Sequence, residues 1–386
     1  MLPQAYKNTP KLLLTLLILV TIQGCTTKRD GRAYRIYHNT HARFNGYFYA
    51  IEALTEAEEK ILTLHKPNWD EILPLFIETD DNSAQQVYPL MERAIEKSSK
   101  VVDKHTLTPS KRDRKYFKRP EMNKWIDENY TIIGTAYYMK EDYAKAEEIF
   151  LYLARTVDTN DAQAWAYSWL GRIYLKTNEQ VKAKNMLAKA ENYRDASEEA
   201  GIHTGLVLAQ YNILLENYEA AARSIEEAVE LIKKKKDKAR PMFILAQCLK
   251  AMGDSEGAID MFNEVAEMRI PYELEFQAKI QQAMTYERQG GGSEVIVELL
   301  EDMLDDDKNL EYLDQIYYAL AEVALEDRQR GLGIDHLETS IYVSTGDSRQ
   351  LGKGYLRLAD LYMEDLYYEA AQAYYDSSLV HMPDDN

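Results

Sequence analysis

Apolar residues recur along most of this chain at i, i+3, i+4 and i+7, the spacing that lines one face of an α-helix. That pattern is itself repeated. A small residue preceded by an apolar one, with an aromatic or apolar residue three positions on and a small residue twelve positions on, occurs at Ile133-Gly134 (Tyr137, Ala146) and Leu170-Gly171 (Tyr174, Ala183). It returns at Leu208-Ala209 (Ala221), Leu245-Ala246 (Leu249, Ala258) and, more loosely, Gln282-Ala283 (Tyr286), then at Leu320-Ala321 (Ala324) and Leu358-Ala359 (Tyr362, Ala371). The anchors Gly134, Gly171, Ala209, Ala246, Ala283, Ala321 and Ala359 lie 37, 38, 37, 37, 38 and 38 residues apart. So narrow a spread predicts seven helix–turn–helix units, with turns at Glu141-Asp142-Tyr143, Asn217-Tyr218-Glu219 and Gly253-Asp254-Ser255. One helix pair cannot bury its own apolar face, so the units must stack and stabilise one another.

The aromatic, Leu-Gly, Tyr and Ala positions resemble the tetratricopeptide repeat, whose usual period is 34. The expectation is therefore an all-α tetratricopeptide-repeat superhelix of about seven pairs, period 37–38, behind an irregular N-terminal helical cap. The extra residues are expected in the second helix or its exit loop. The resemblance implies a concave groove lined by first helices, with position 9 of each unit falling at Thr135, Arg172, Gln210, Gln247, Met284, Glu322 and Asp360. Such a floor runs from neutral or basic to acidic. It would orient an extended partner, although a solvated variable face has the same letters. Tyr138, Arg172, Gln210 and Gln247 are the candidate partner-binding residues of the array. Positions 5 and 9 read Thr131/Thr135 and Ser168/Arg172, without the Lys and Asn of a carboxylate clamp.

Before the array, residues 34–110 lack the period but keep helical patterning, with Tyr47, Ala50, Ile51 and Leu54 on one face and Glu56, Glu58 and Glu59 on the other. A second helix is expected from Ala84 to Val102, with Pro67 and Pro74 breaking the pattern between the two. The stretch from Ser110 to Pro120 carries Lys111, Arg112, Arg114, Lys115, Lys118 and Arg119 against Asp113. A run of this kind is a solvated loop or a docking strip for acidic protein or lipid headgroups. Lys233–Lys236 is expected at the end of a second helix, complementing its dipole.

The chain opens with Lys7 and Lys11 and an apolar run from Leu12 to Val20, too short for the roughly 20 residues a spanning helix needs. It reads as a secretory signal peptide, residues 1–24, although an uncleaved anchor has the same start. The junction Ile22-Gln23-Gly24-Cys25 resembles a bacterial lipobox, making Cys25 the lipidation site and residues 25–33 a lipidated linker. Thr26, Thr27, Lys28 and Arg29 follow, with neither the aspartate of inner-membrane retention nor an acidic surface-export run. The expected address is the periplasmic face of the outer membrane. The remaining boundaries are an N-terminal helical region 34–110, a basic linker and lead-in 111–126, and the array 127–386, which ends without a polar capping helix and so reads as truncated.

Charge narrows the partners. The chain has 46 Lys and Arg against 64 Asp and Glu, net −18, and loss of residues 1–24 takes this to −20, which repels nucleic acid. The 29 tyrosines suit thin helical layers, where a ring is buried and its hydroxyl reaches water. Cys248, left alone if Cys25 carries lipid, is expected as a small buried apolar residue.

The letters Tyr37-His38-Asn39, Ala42-Arg43-Phe44-Asn45-Gly46-Tyr47-Phe48, Glu71-Ile72-Leu73-Pro74-Leu75-Phe76, Tyr88-Pro89-Leu90 and Lys124-Trp125-Ile126-Asp127 together resemble the SprE/PorW family of lipoproteins. That family serves the Bacteroidetes type IX secretion and gliding-motility machinery, and its members are considerably longer. The resemblance implies a periplasmic adaptor whose partners are the periplasmic ring complex and the outer-membrane translocon. Arg43 and Tyr47 join the candidate partner-binding residues.

No cofactor is expected. His38 and His41 share a helix face but lack further ligands for zinc, and are expected to pack or cap locally. The sequence holds no P-loop, nucleophile elbow or HExxH helix. Gly290-Gly291-Gly292 falls at the turn of the fifth unit, where glycine supplies positive φ. A non-enzymatic scaffold is the reading; the alternatives are a SusD-like glycan-binding lipoprotein and the repeat domain of a longer cell-envelope enzyme.

Overall fold

A computed structural model describes residues 31–109, 121–157, 159–286, 293–345 and 348–382. The leader, Cys25, the basic stretch 111–119, Gly290–Gly292 and the last four residues lie outside these. The described residues are helical, with no strand among them. No described helix is long and apolar enough to cross a membrane.

The chain begins with α1 (Arg32–His41), a π-helical stretch (Ala42–Tyr47), α2 (Phe48–Leu64) and α3 (Asp81–His105). Seven helix pairs follow at the positions the repeat predicts: α4 (Ile126–Met139) with α5 (Tyr143–Thr156), α6 (Asn160–Lys176) with α7 (Gln180–Glu191), and α8 (Glu198–Leu214) with α9 (Tyr218–Leu231). Next come α10 (Lys235–Ala251) with α11 (Ser255–Ala266), α12 (Tyr272–Ala283) with α13 (Ser293–Asp305), α14 (Leu313–Glu326) with α15 (Arg330–Val343), and α16 (Ser348–Glu364) with α17 (Tyr368–His381). This is the all-α helical repeat of tetratricopeptide kind. By contacts it forms two compact units, one of residues up to 66 and 76–204, the other of residues 67–75 and 205–386.

Small residues at the anchors are there because the paired helices touch. A methyl group on Gly134 would meet the Phe150 ring at 2.6 Å, and one on Gly171 would meet Leu187 at the same distance. Ala146, Ala183, Ala221, Ala258 and Ala371 on the second helices are wholly buried. Among the described residues, the turn within six of the pairs is one device reused. Glu141, Asn178, Glu216, Gly253, Arg328 and Leu366 have φ between 56° and 80°, and the next residue's N–H returns to a carbonyl five residues back. That is a left-handed helix cap, closing one helix so that the next can run back beside it. Asp142, Asn217 and Asp254 then cap the second helix by accepting a backbone N–H three residues on. Second helices stay at 12–14 residues while the first reach 17 in four pairs, so the added length lies there and in exit loops rather than in the second helix.

In the first unit, α2 and α3 pack with α4 over Ala50, Ala53, Leu54, Ala57, Val87, Met91, Ile132 and Ala136. Ile51, assigned to that face by the helical period, points outward. Within α2 it lies roughly 100° round from Ala50, at the edge of the stripe made by Ala50, Ala53, Leu54, Ala57 and Ile61. Gly46 sits within the π-helical stretch before α2, where a methyl group would lie 1.9 Å from Val101 Cγ2, so only glycine permits this approach. In the second unit a cluster forms around Phe276, Ile280, Leu300, Met303, Ile316 and Leu320. Tyrosines behave as their number suggests: Tyr286 and Tyr375 rest on the array and bond outward to Asp327 and Asp360 at 3.3 and 2.8 Å. Lys233–Lys236 departs from expectation, because α9 ends at Leu231 and Lys235 and Lys236 open α10 instead of closing a helix.

Candidate peptide-binding groove

The segment between α2 and α3, which carries Pro67 and Pro74, is extended and lies on first helices of the pairs. In the second unit, residues 67–75 cross α16, α12, α10 and α8. The Trp69 carbonyl accepts from Gln281 Nε2 at 2.9 Å and the Glu71 carbonyl from Gln247 Nε2 at 2.8 Å. The Leu73 N–H donates to Gln247 Oε1 at 2.9 Å and the Leu75 N–H to Gln210 Oε1 at 2.7 Å. Alternate residues of an extended chain present their N–H and C=O along one edge. Here residues 69, 71, 73 and 75 share that edge, and glutamine amides replace a neighbouring strand.

The opposite edge is held too. Arg240 donates from Nε and from a terminal nitrogen to the Pro74 carbonyl at 3.1 and 2.7 Å, and burial holds the guanidinium down to about 10. Trp69 meets the buried Phe243 edge-on with centroids 5.5 Å apart, while Leu73 and Leu75 are buried. Asp70 pairs with Lys353. Beside Trp69 a cavity of about 220 Å³ is bordered by Lys250, Gln277, Gln315, Tyr318 and Lys353.

In the first unit the chemistry changes. Glu78 accepts from Arg172 Nε at 3.0 Å and from the Tyr138 hydroxyl at 2.7 Å. Arg172 is mostly buried, its guanidinium 4.1 Å from the centre of the Phe76 ring, with Trp169 and Tyr138 within 5 Å. An ion pair closed in by aromatic faces is strong because water is excluded. Phe76 also borders His203, whose Nδ1 lies 2.7 Å from Ser168 Oγ. Ser168 donates its proton to the Trp165 carbonyl, so His203 Nδ1–H is the donor and Nε2 is a bare, buried acceptor. Burial, then the charge of Arg172, push this imidazole down to about 3.

The four sequence-derived candidates of the array are thus engaged by this chain's own segment, Tyr138 and Arg172 in the first unit by Glu78, and Gln210 and Gln247 in the second by the backbone of residues 71–75. Glu322 and Asp360 are compensated as well, by Arg357 at 2.7 and 3.0 Å and by the Tyr375 hydroxyl. Arg43 and Tyr47 are elsewhere, on the π-helical stretch, against Trp125: the guanidinium is 5.2 Å from its ring centre and the Tyr47 ring 4.9 Å. Asn39 Oδ1 accepts the Lys124 N–H at 3.0 Å, binding the two sequence motifs to each other. His38 Nδ1 lies 2.8 Å from His105 Nδ1 and His41 lies parallel to the His105 ring, so the histidines pack onto α3 and not only within their own segment; His41 also lies tilted against Tyr37. Among the described residues no three metal-binding side chains gather. Cys248 is fully buried, and desolvation pushes its thiol up to about 12.

Sequence reasoning found the glutamines by repeat position but not their occupant, nor Arg240 and Gln281. The available signal was period two: Trp69, Leu73 and Leu75 alternate as a half-buried extended segment does.

No protein-family model matches the chain and no curated protein matches it. Solved structures do. The chain is similar to the apo form of RapI, at 13% identity and TM-score 0.43, covering 66% of this chain and 97% of that one. It is also similar to a tetratricopeptide repeat protein from Parabacteroides merdae ATCC 43184, at 13% identity and TM-score 0.37, covering 77% of this chain and 96% of that one.

Proposed function

We propose that this chain is a non-enzymatic protein-interaction scaffold, tethered by lipidated Cys25 to the periplasmic face of the outer membrane, and an adaptor of the type IX secretion and gliding machinery. The scaffold reading is carried by one observation. Gln247 bonds a C=O and an N–H two residues apart on an extended segment, which is recognition of polypeptide backbone. The glutamines and Arg240 hold chain in place through its backbone.

The secretory assignment is supported by the motif letters shared with the SprE/PorW family. Asn39, Arg43, Tyr47 and Gly46 are spent on contacts with Lys124, Trp125 and Val101, so these letters describe one packed substructure and not scattered surface. Crosslinking followed by affinity purification from the native host tests it. Ring or translocon components should be recovered; glycan transporters in their place would overturn the assignment. Cys25→Ala should leave the protein soluble in the periplasm and unable to complement a null strain, and full complementation would remove the tether from the mechanism.

A further inference from the structure

We infer that residues 67–75 are an in-cis ligand: the second unit carries a binding site for an extended peptide, and this chain fills it with its own segment. The site reads backbone at four alternate residues through Gln281, Gln247 and Gln210, and at Pro74 through Arg240. None of these bonds depends on the side chains of the bound segment. Selectivity comes from the Phe243 face, which takes an aromatic ring, and from the burial of aliphatic side chains four and six residues later, at Leu73 and Leu75. The ligand class is therefore an extended peptide with an aromatic residue followed at those spacings by two aliphatic ones. Recurrence of glutamine at the same repeat position, 37 residues apart in Gln210 and Gln247, makes the site a property of the array and not of one contact.

A tethered ligand competes at an effective concentration on the order of millimolar. It keeps outside peptides off unless they are abundant or the strap is drawn away. This inference stands whichever machine the chain serves, and its test does not involve one.

In the full chain, residues 67–75 are replaced by nine glycines and serines, and a synthetic peptide of residues 66–76 is titrated in by calorimetry. The replaced chain should bind it one to one and the unaltered chain about 100-fold more weakly, by the tether's advantage. Gln247→Ala in the replaced chain should weaken binding at least about 10-fold, in line with two lost hydrogen bonds, and a scrambled peptide should not bind. A folded replacement that ignores the peptide, or an unaltered chain that binds equally well, overturns the inference. Should the replacement fail to fold, hydrogen exchange decides in the unaltered sequence. The Leu73 and Leu75 amides should be protected, and Gln247→Ala should release Leu73 while Leu75 stays slow. Exchange of both at open-loop rates overturns it.

Discussion

The two units grip consecutive stretches of one segment by different chemistry. In the first, a carboxylate, a guanidinium and a phenol, all largely shut off from water, hold the Glu78 side chain. In the second, neutral amides hold the backbone from Trp69 to Leu75. The first grip selects a side chain by its charge. The second reads backbone, and the Phe243 face and the burial of Leu73 and Leu75 set the shape it accepts. One kind of helix pair thus supports two kinds of grip.

The largest expected effect comes from breaking the charged grip. Glu78→Ala leaves Arg172 buried without its partner and should cost about 3 kcal/mol in chemical denaturation. Adding Arg172→Met to Glu78→Gln should recover most of that, and a lone loss below about 0.5 kcal/mol would place the pair in the weak class of surface bridges.

Acid should act next, and on the first unit. His203 is held near 3 when folded and titrates near 6.5 when unfolded, so its contribution is complete above pH 6.5 and is lost as pH falls toward 3. Between pH 7 and 5 that is about 2 kcal/mol, which His203→Gln should remove from the pH profile. Burial lowers His38 and His105 in the same direction. Exchange at pH 5 should therefore quicken for residues 76–80 before residues 69–75; the reverse order would contradict the division of chemistry.

Breaking the neutral grip should cost less. Gln247→Ala strands one N–H and one C=O of the segment, about 1–2 kcal/mol, with no change in the pH profile. The smallest effect sets the baseline. Leu366, exposed and at φ 65°, should gain about 0.5–1 kcal/mol on conversion to glycine, which adopts that conformation freely. A thermal melt reads it, and exchange in segment 67–80 should not move.

The seven pairs were legible because their cause is local: a small anchor, a ring three residues on and an alanine in the facing helix all fall within one unit. The candidate residues Arg172, Gln210 and Gln247 were legible for the same reason, as recurring positions. What they hold was not. Leu73 and Gln247 are 174 residues apart, and no pattern near Pro67 or Pro74 encodes that partner. The π-helical stretch was missed because one widened turn leaves the apolar letters close to helical period, and the closeness of Gly46 to Val101 is fixed by the fold, 55 residues apart in sequence. The mixed fate of Lys233–Lys236 shows that a basic run cannot say by itself which helix end it adjoins.

The segment's remoteness from its partners also orders events in time. Helix pairs form from neighbours, whereas Asp70 must wait for Lys353, 283 residues later. Contacts of such separation are the slow ones in folding. As the polypeptide is made from its amino end, Trp69, Leu73 and Leu75 emerge before the helices that will cover them. Docking of Trp69 on Phe243 should be a late step of maturation, reporting that the downstream repeats have been synthesised and stacked.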